Sequence, residues 1–245
     1  MKRVVVTGVS GGIGRALAVR FAKSGYAVVG LDRIAPASLE EGETFLECDL
    51  LRIVRDETYR EGVFASLHGL VRGALHLLVN NAALQIVKPI ESISVDEFRS
   101  VQDVNLVAPF LLVQELLPQL EASGGSVVNI ASIHATQTKP GFSAYASSKA
   151  ALAGMTRAMA VELGSRVRVN AVAPAAISTP MLVDGFRGRP EAFAQLREMH
   201  PVGEIGTVDQ VAQAVAFLAE PEMKFLSGSV LGLDGGIFGR LHDPV

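Results

Sequence analysis

Short apolar runs alternate with longer amphipathic stretches along the whole chain, and this alternation limits the fold more than any other feature. The apolar runs are predicted as strands: Val4–Thr7, Ala27–Leu31, Thr44–Cys48, Leu75–Val79, Ser126–Ala131, Val167–Val172 and Ser229–Leu233. The stretches between them are predicted as helices: Ile13–Ser24, Glu57–Leu70, Val95–Asn105, Ala108–Glu121, Ala144–Leu163, Pro190–Met199 and Asp209–Ala219. Such alternation is typical of an α/β fold, a doubly wound parallel sheet of about seven strands.

The chain fits a single domain. Its 245 residues contain no linker-like or low-complexity segment, and one parallel α/β domain can reach ~250 residues. Pro174–Arg189 carries no regular pattern, and it follows a strand at the end of the sheet where such folds bind ligands. We therefore expect one domain over residues 1–245, with a flexible substrate loop at about 175–200. Pro118 is expected to kink or end its helix.

Composition excludes several classes of function. The net charge of −3 provides no basic surface for nucleic acid or an anionic membrane. The single cysteine, Cys48, excludes an intrachain disulfide and a cysteine-based zinc site, and the histidines show no metal-ligand spacing. No uncharged apolar run approaches the ~18 residues of a membrane span. We expect a cytoplasmic protein without a metal.

A glycine cluster separates the first strand from the first helix. Thr7-Gly8-Val9-Ser10-Gly11-Gly12-Ile13-Gly14 has its glycines at positions 8, 11, 12 and 14. Glycines allow a tight turn and a close approach of the backbone to a pyrophosphate, which the free N–H groups of the helix start then bind. Because the cluster lies between strand and helix, it predicts a dinucleotide site.

Asp32 lies at the end of the second predicted strand. A carboxylate there can accept hydrogen bonds from the adenosine ribose hydroxyls. It would also repel a 2′-phosphate, at a cost of ~4 kcal/mol for two unit charges ~4 Å apart at an effective dielectric of ~20. Asp32 therefore favours NAD over NADP, although the neighbouring Arg33 keeps NADP open.

Tyr145 and Lys149 occur four positions apart early in the longest predicted helix. This spacing places the phenol and the ammonium on one helix face. A nearby cation favours the phenolate, so we expect a lowered pKa for Tyr145. Such a tyrosine can exchange a proton with an alcohol or a carbonyl oxygen.

Together these motifs resemble those of the short-chain dehydrogenase/reductases of about 250 residues, over Lys2 to about Gly236. The resemblance is carried by Gly8, Gly12, Gly14, Asp32, Asn80-Asn81-Ala82-Ala83, Asn105, Ser132, Tyr145, Lys149 and the Pro174-to-Thr179 stretch. It implies a Rossmann-like fold. Ala83 and Ala175 stand where the family usually has glycine, and each adds one methyl group beside the expected cofactor site.

The resemblance also implies roles for individual residues. Tyr145 would be the catalytic acid/base, Lys149 would bind the nicotinamide ribose and lower the pKa of the tyrosine, and Ser132 would hydrogen-bond the substrate oxygen. Asn105 would hold a water that links Lys149 to solvent. Residues implied to contact the coenzyme are Gly8, Ser10, Gly12, Ile13, Gly14, Asp32, Asp49, Leu50, Asn80, Ala82, Tyr145, Lys149, Pro174, Ile177 and Thr179. Candidate substrate contacts are His134, Phe142 and Met181.

These observations predict an NAD(H)-dependent oxidoreductase that interconverts a secondary alcohol and a ketone. An NADPH-dependent carbonyl or 3-oxoacyl reductase is the alternative that Arg33 leaves open. A non-catalytic dinucleotide-binding protein is an alternative of a different class, but such a protein would have no need of the complete catalytic set.

Two predicted helical stretches, Val104–Leu117 and Ala150–Ala160, are more apolar than solvated helices require. A helix that is apolar beyond one stripe is usually buried on more than one side. In the family that the chain resembles, these helices pair across a two-fold axis. We therefore expect a homotetramer, with a dimer as the fallback, and a C-terminal tail, Gly239–Val245, that reaches a neighbour's substrate site.

Overall fold

The computed structural model describes residues 1–241, without the side chain of Met181, and in this part of the chain seven strands form one sheet. They are β1 (Arg3–Thr7), β2 (Ala27–Asp32), β3 (Glu43–Glu47), β4 (Leu77–Asn80), β5 (Ser126–Ile130), β6 (Arg168–Pro174) and β7 (Val230–Leu233). Their order is β3-β2-β1-β4-β5-β6-β7, and all neighbours are parallel. The predicted doubly wound, Rossmann-like sheet is confirmed.

Helices cover both faces of this sheet. They are α1 (Gly12–Lys23), α2 (Leu50–Arg55), α3 (Glu57–Val71), α4 (Val95–Gln102), α5 (Ala108–Ser123), α6 (Ser143–Leu163), α7 (Pro180–Gly185), α8 (Pro190–Glu198) and α9 (Val208–Ala219). Leu17 of α1 and Val215 of α9 pack on one face with Val6, while Leu112 of α5 packs on the other face with Val5. Burial on both faces explains why the strands are continuous apolar runs. No helix in residues 1–241 is long and apolar enough to cross a lipid bilayer.

The strand order creates a crevice at one edge of the sheet. β1 lies between β2 and β4, so the chain runs outward from β1 in opposite directions in its two halves. Open α/β sheets bind ligands at the carboxyl ends of the strands where this reversal occurs. The glycine cluster follows β1 at this edge, and Ser132 follows β5 at the same edge.

Two short helices, α2 and α7, lie where the sequence pattern predicts none. Each begins at a polar cap: Asp49 accepts a hydrogen bond from the amide of Leu51, and Thr179 accepts one from the amide of Leu182. Such caps satisfy N–H groups that a helix start leaves unpaired, so they favour helices too short to show a periodicity. Helices α7 and α8 occupy much of the predicted substrate loop, whose flexibility stays a prediction.

The helix predicted over Val95–Asn105 ends earlier, at Gln102. It passes into a π-helical turn, Asp103–Val107, in which the amide of Ala108 donates to the carbonyl of Asp103. π-Helical turns occur mostly as single turns within helices, frequently at functional sites. Asn105 lies within this turn.

Helix α5 does not end at Pro118, contrary to one form of the prediction, but continues to Ser123. A proline in a helix leaves the carbonyl four residues earlier, here that of Gln114, without its N–H partner. Both residues are exposed, so water can reach that carbonyl. The position of Pro118 on the solvent face therefore allows the helix to continue.

Candidate active site

The glycine cluster forms a close-packed turn from β1 into α1. Gly8 has a φ of +68°, and a Cβ on it would lie 2.9 Å from the Cα of Ala82. A Cβ on Gly14 would lie 1.9 Å from the carbonyl oxygen of Gly8, so no side chain fits there. A Cβ on Gly12 would lie 3.1 Å from Pro180 and 3.3 Å from Thr179, which shows that the start of α7 lies against this turn.

The start of α1 fits a pyrophosphate. Its N-cap, Gly11, provides no side-chain cap, and the first turn holds no acidic residue. The amide N–H groups that a helix start leaves unpaired therefore have no competing partner within the first turn. Such a helix end favours an anion through its free N–H groups and its partial positive charge. Ile13, which follows Gly12, packs on the core beside this turn.

Asp32 is held at the end of β2 by the glycine turn. One carboxylate oxygen accepts the amide of Ser10 at 3.0 Å and the other accepts the amide of Arg33 at 2.7 Å. The hydroxyl of Ser10 donates to the carbonyl of Ile34 at 2.6 Å. The carboxylate thus lies directly beside the loop, and each oxygen keeps a lone pair for a further donor.

Asp49, the residue after Cys48, caps α2 instead of standing free. Its carboxylate accepts the amides of Leu51 at 2.9 Å and Arg52 at 3.4 Å. Leu50 is buried in the core, so a ligand could reach only its backbone. Burial, followed by the charges of Asp49 and Asp32, raises the pKa of the Cys48 thiol to about 12. Cys48 is therefore an unreactive thiol.

Residues 80–82 bind to the end of β1 and to the sheet. The hydroxyl of Thr7 accepts the amides of Asn81 and Ala82, both at 3.0 Å. The side-chain amide of Asn80 donates to Asn129 Oδ1 at 2.8 Å in the neighbouring strand. Asn80 therefore fixes β4 to β5, and Ala82 forms the wall against Gly8.

Lys149 is a buried lysine, 2% exposed, on α6. Its Nζ donates to the carbonyl oxygen of Ile130 at 2.7 Å and lies 5.6 Å from the ring centroid of Tyr145. Burial lowers the pKa of Lys149 to about 8. The predicted placement of the two side chains on one helix face is confirmed.

The side chain of Ser132 lies near the phenol of Tyr145. Burial raises the pKa of Tyr145, and the nearby Ser132 hydroxyl lowers it by a smaller amount. The expected lowering by Lys149 is wrong for this structure, because desolvation of the phenolate dominates. Ser132 Oγ accepts the amide of His134 at 3.2 Å, so the hydroxyl proton of Ser132 can be donated to another group.

Asn105 does not contact Lys149 through its side chain. Its Oδ1 accepts the amide of Leu84 at 2.7 Å, while Nδ2 donates to the Leu84 carbonyl and to Ser148 Oγ, both at 2.9 Å. Ser148 Oγ in turn donates to the carbonyl of Tyr145 at 2.7 Å. The implied water relay to Lys149 would therefore need the backbone of the π-helical turn, not the amide side chain.

His134 and Phe142 stand beside Tyr145. Their rings stack with centroids 4.4 Å apart, and His134 meets the Tyr145 ring edge-on at 5.8 Å. His134 Nδ1 hydrogen-bonds Thr138 Oγ1 at 2.9 Å. Burial, followed by the charge of Lys139, lowers the pKa of His134, so the imidazole is neutral near pH 7. The predicted Met181 contact lies outside the described side chains.

The strand β6 leads to the last predicted coenzyme contacts. Pro174 ends the strand, paired with Leu233. Ile177 forms a bridge with Gly206 and its side chain is buried in the core, so a ligand could contact only its backbone. Thr179 reaches the site, because it lies against Gly12 and uses its hydroxyl to cap α7.

Sequence reasoning missed three residues of the site. Ser148 is fully buried between Asn105 and Tyr145, Ile130 supplies the carbonyl for Lys149, and Leu84 binds Asn105 through its backbone. Only Ser148 carries a signal, as a hydroxyl next to the lysine. Backbone partners leave no trace in residue type. In residues 1–241, no group of three His, Cys, Asp or Glu side chains could hold a metal ion.

Comparison with known proteins identifies relatives of this arrangement. A family described as enoyl-(acyl carrier protein) reductase matches residues 8–238. The 2-(R)-hydroxypropyl-CoM dehydrogenase of Xanthobacter autotrophicus is 37% identical over 246 residues, covering 96% of this chain and 98% of that protein.

Solved structures agree. The ligand-free aldohexose dehydrogenase of Thermoplasma acidophilum has a TM-score of 0.92 and 34% identity, covering 100% of this chain and 96% of that one. A 4-hydroxyisoleucine dehydrogenase complexed with NADH has a TM-score of 0.89 and 27% identity, covering 98% and 100%. Other similar structures hold NADP. Sequence and structure neighbours are thus oxidoreductases acting on CH–OH groups, and the chain belongs to the short-chain dehydrogenase/reductase family.

Proposed function

We propose that this protein is an NAD(H)-dependent oxidoreductase that interconverts a secondary alcohol and a ketone, with Tyr145 as the acid/base. The observation that carries the proposal is the position of Tyr145: the Nζ of the buried Lys149 lies 5.6 Å from its ring centroid, and the Ser132 hydroxyl lies near its phenol. A phenol and a hydroxyl donor that can both reach one substrate oxygen suit proton transfer to or from that oxygen.

The residues divide the chemistry among them. In ketone reduction, Tyr145 gives its phenolic proton to the carbonyl oxygen while Ser132 donates a hydrogen bond to that oxygen; oxidation reverses both steps. The Lys149 ammonium stabilises the phenolate that remains. Asn105 and Ser148 hold the first turns of α6 in register. When bound, the nicotinamide supplies or accepts the hydride of the reacting carbon.

The coenzyme would be held along the carboxyl ends of the strands. The backbone of Gly8, Ser10, Gly12, Ile13 and Gly14 would bind the pyrophosphate. Further contacts are proposed for Asp32, Asp49, Leu50, Asn80, Ala82, Tyr145, Lys149, Pro174, Ile177 and Thr179, with Leu50 and Ile177 acting through the backbone. No side chain fits at Gly14, and this close packing supports a coenzyme-binding role for the glycine turn over a merely structural one.

NAD is the proposed coenzyme because the Asp32 carboxylate lies at the glycine turn, where a 2′-phosphate would meet its charge. The exposed Arg33 is the feature that would favour an NADPH-dependent carbonyl or 3-oxoacyl reductase instead. Binding of each coenzyme decides between these two functions.

His134 and Phe142 are proposed to contact the substrate, because their stacked rings stand against Tyr145. With Nδ1 bonded to Thr138, the Nε2 of His134 remains for a polar group of the substrate. Relatives named for an aldohexose, for 4-hydroxyisoleucine and for 2-(R)-hydroxypropyl-CoM support alcohol oxidation while differing in substrate.

A homotetramer is part of the same proposal. Phe110 on α5 is 43% exposed and Val161 on α6 is 84% exposed, so both predicted interface helices present apolar side chains to solvent. Light scattering should report about four times 25.9 kDa, and a monomer at micromolar concentration would exclude this assembly. We also propose a cytoplasmic location, which the single, free thiol of Cys48 supports.

The experiment that tests the function is a turnover screen. Sugars, polyols, hydroxy acids, steroids and 3-oxoacyl thioesters are offered with NAD(H) and with NADP(H), while direct titration measures coenzyme binding. Turnover of a secondary alcohol or its ketone with NAD(H) supports the proposal. Coenzyme binding without turnover of any class would favour a non-catalytic dinucleotide-binding protein, and turnover with NADP(H) alone would favour the reductase.

A further inference from the structure

The turn that follows β7 bridges two separate segments of the protein. This C-terminal turn, Ile237–Arg240, receives a hydrogen bond from Gln137 Nε2 to the carbonyl of Phe238 at 3.0 Å. Gln137 belongs to the loop that starts at Ser132. The backbone amide of Gln137 donates a hydrogen bond to the carbonyl of Ile133 at 2.9 Å. One side of the turn is therefore tied to the loop that carries a predicted catalytic hydroxyl.

The other side of the turn is tied to the end of α8. Arg240 Nη1 donates to the carbonyls of Glu198 at 2.9 Å and Met199 at 3.0 Å. Two earlier carbonyl groups already have hydrogen-bond partners. The Leu196 carbonyl is hydrogen-bonded to His200 Nδ1, and the Arg197 carbonyl accepts the backbone amide of His200. Arg240 thus supplies the partners for the last carbonyls at this helix end, where a cation is also favourable.

Hydrogen bonds contribute a larger share than usual to the stability of α8, because this helix has no buried residue. A helix normally remains in place through an apolar face packed on the core. For α8 that contribution is small, so the bonds at its end make up a large share of what holds it. Removing the Arg240 side chain should therefore increase local unfolding of α8.

The turn itself is firmly placed. Gly235 and Gly236 both have positive φ values, of +58° and +86°, which let the chain reverse directly after β7. The amide of Gly236 bonds the Asp234 carboxylate at 2.9 Å, and the amide of Val202 bonds the Gly235 carbonyl at 3.2 Å. The C-terminal turn therefore starts from a fixed point beside Val202, three residues after the last carbonyl that Arg240 binds.

The chain segment that finishes with α8 starts beside the glycine turn, where the coenzyme is proposed to bind. Thr179 and Pro180, at the start of α7, lie against Gly12. The α7–α8 segment, residues 179–199, therefore spans from the glycine turn to the C-terminal turn. The latter joins this segment to the loop of Ser132.

We propose that Arg240 is a positioning residue for the substrate: through the C-terminal turn, it fixes the α7–α8 segment relative to the Ser132 loop. This inference rests on the proposed function for its substrate, but its structural part does not. Opening of α8 would weaken binding of the alcohol or ketone, while the start of α7, where Thr179 and Pro180 lie against Gly12, would keep its place beside the coenzyme and Tyr145 would be unaffected.

Amide hydrogen exchange of residues 190–199 tests the structural part without any turnover. Arg240→Gln should accelerate exchange there by about tenfold, as expected for the loss of one or two hydrogen bonds. Arg240→Lys, which keeps a cationic donor, should restore part of the protection. Arg187→Gln is the matched control, because Arg187 lies in the same segment and, within residues 1–241, its side chain pairs with Asp184 alone, on the surface.

Steady-state kinetics tests the substrate part with whichever substrate the turnover screen identifies. Arg240→Gln should raise KM severalfold, with kcat and the coenzyme Kd within about twofold of wild type. Gln137→Leu, which removes the other tie, should change KM in the same direction. Unchanged exchange in Arg240→Gln would overturn the positioning role, and faster exchange with an unchanged KM would confine Arg240 to stability. Absence of any turnover in the wild type would refute the proposed function while the exchange result stands.

Discussion

Asn105 Nδ2 donates a hydrogen bond to Ser148 Oγ at 2.9 Å, and both side chains are buried. This bond joins the π-helical turn before α5 to the first turns of α6, where Lys149 follows Ser148 directly. The Asn105 side chain is therefore connected to α6 at the residue before Lys149, and its described hydrogen bonds do not include Lys149 itself. The π-helical turn is what brings this amide to the carboxyl edge of the sheet.

Ser148→Ala should destabilise the protein and slow turnover. The change leaves Nδ2 of Asn105 with one partner fewer and removes the donor to the Tyr145 carbonyl, at a cost of about 1–3 kcal/mol in the free energy of unfolding. Urea denaturation measures this loss. Ser147→Ala is the matched control, since the exposed Ser147 hydroxyl donates to the Ser143 carbonyl of its own helix. Equal effects of the two substitutions would contradict the linking role of Ser148.

Tyr145→Phe should lower turnover by at least ~10²-fold, because it removes the proton-transferring oxygen. The ring keeps its place beside His134 and Phe142, so the coenzyme Kd should remain close to wild type. Single-turnover kinetics and coenzyme titration make the comparison. A variant with near-normal turnover would show that the acid/base lies elsewhere.

The pH dependence should follow Lys149. Burial lowers the pKa of Lys149 to about 8 and raises that of Tyr145, so the first proton lost from this pair leaves at about pH 8. Alcohol oxidation needs the pair with one proton lost, in which the Tyr145 phenolate can stand beside the Lys149 ammonium, so its kcat/KM should rise with pH through about 8; ketone reduction needs both protons and should fall through the same range. In Lys149→Arg the guanidinium stays charged, so the ionisation near pH 8 should be lost and only the phenol, whose pKa is raised, should titrate. If the ionisation near pH 8 persists unchanged in that variant, another group is responsible.

The strand pattern predicted the sheet, because strands that are buried on both faces appear in the sequence as continuous apolar runs. Tyr145 and Lys149 could be paired because helical geometry fixes their spacing. The pKa of Tyr145 could not be predicted, since desolvation depends on how deeply the phenol lies in the finished fold. A neighbouring cation alone suggests the opposite direction.

Features made by the backbone remained beyond prediction. The carbonyl of Ile130 binds Lys149 and the backbone of Leu84 binds Asn105, yet neither interaction depends on the identity of the side chain. The helix α2 is likewise too short for a periodic signal and depends on the cap from Asp49. Residue type reports such contacts only when a polar side chain takes part.

Asp32→Asn should shift coenzyme preference toward NADP(H). The wild type should bind NAD(H) at least about tenfold tighter, because the carboxylate repels a 2′-phosphate. The neutral variant keeps an acceptor for the Ser10 amide, and the positive charge of Arg33 is no longer offset by the carboxylate of Asp32. Calorimetric titration of both coenzymes measures the shift, and the double variant Asp32→Asn/Arg33→Ala separates the contribution of the arginine. Equal or tighter binding of NADP(H) by the wild type would exclude the NAD assignment.

Gly14→Ala should abolish coenzyme binding and lower the Tm, because its methyl group would lie 1.9 Å from the Gly8 carbonyl oxygen. That oxygen is backbone and cannot rotate away, so the start of α1 must move, at a cost above the ~1–3 kcal/mol usual for overpacking. Gly11→Ala is the control for stability: its methyl group would meet the same oxygen at 3.5 Å, an ordinary contact, and its φ of −77° suits alanine. Thermal denaturation should therefore separate the two variants by several degrees. A Gly14→Ala protein with the Tm and coenzyme affinity of the wild type would show that the glycine turn is not the close-packed cradle on which the coenzyme site depends.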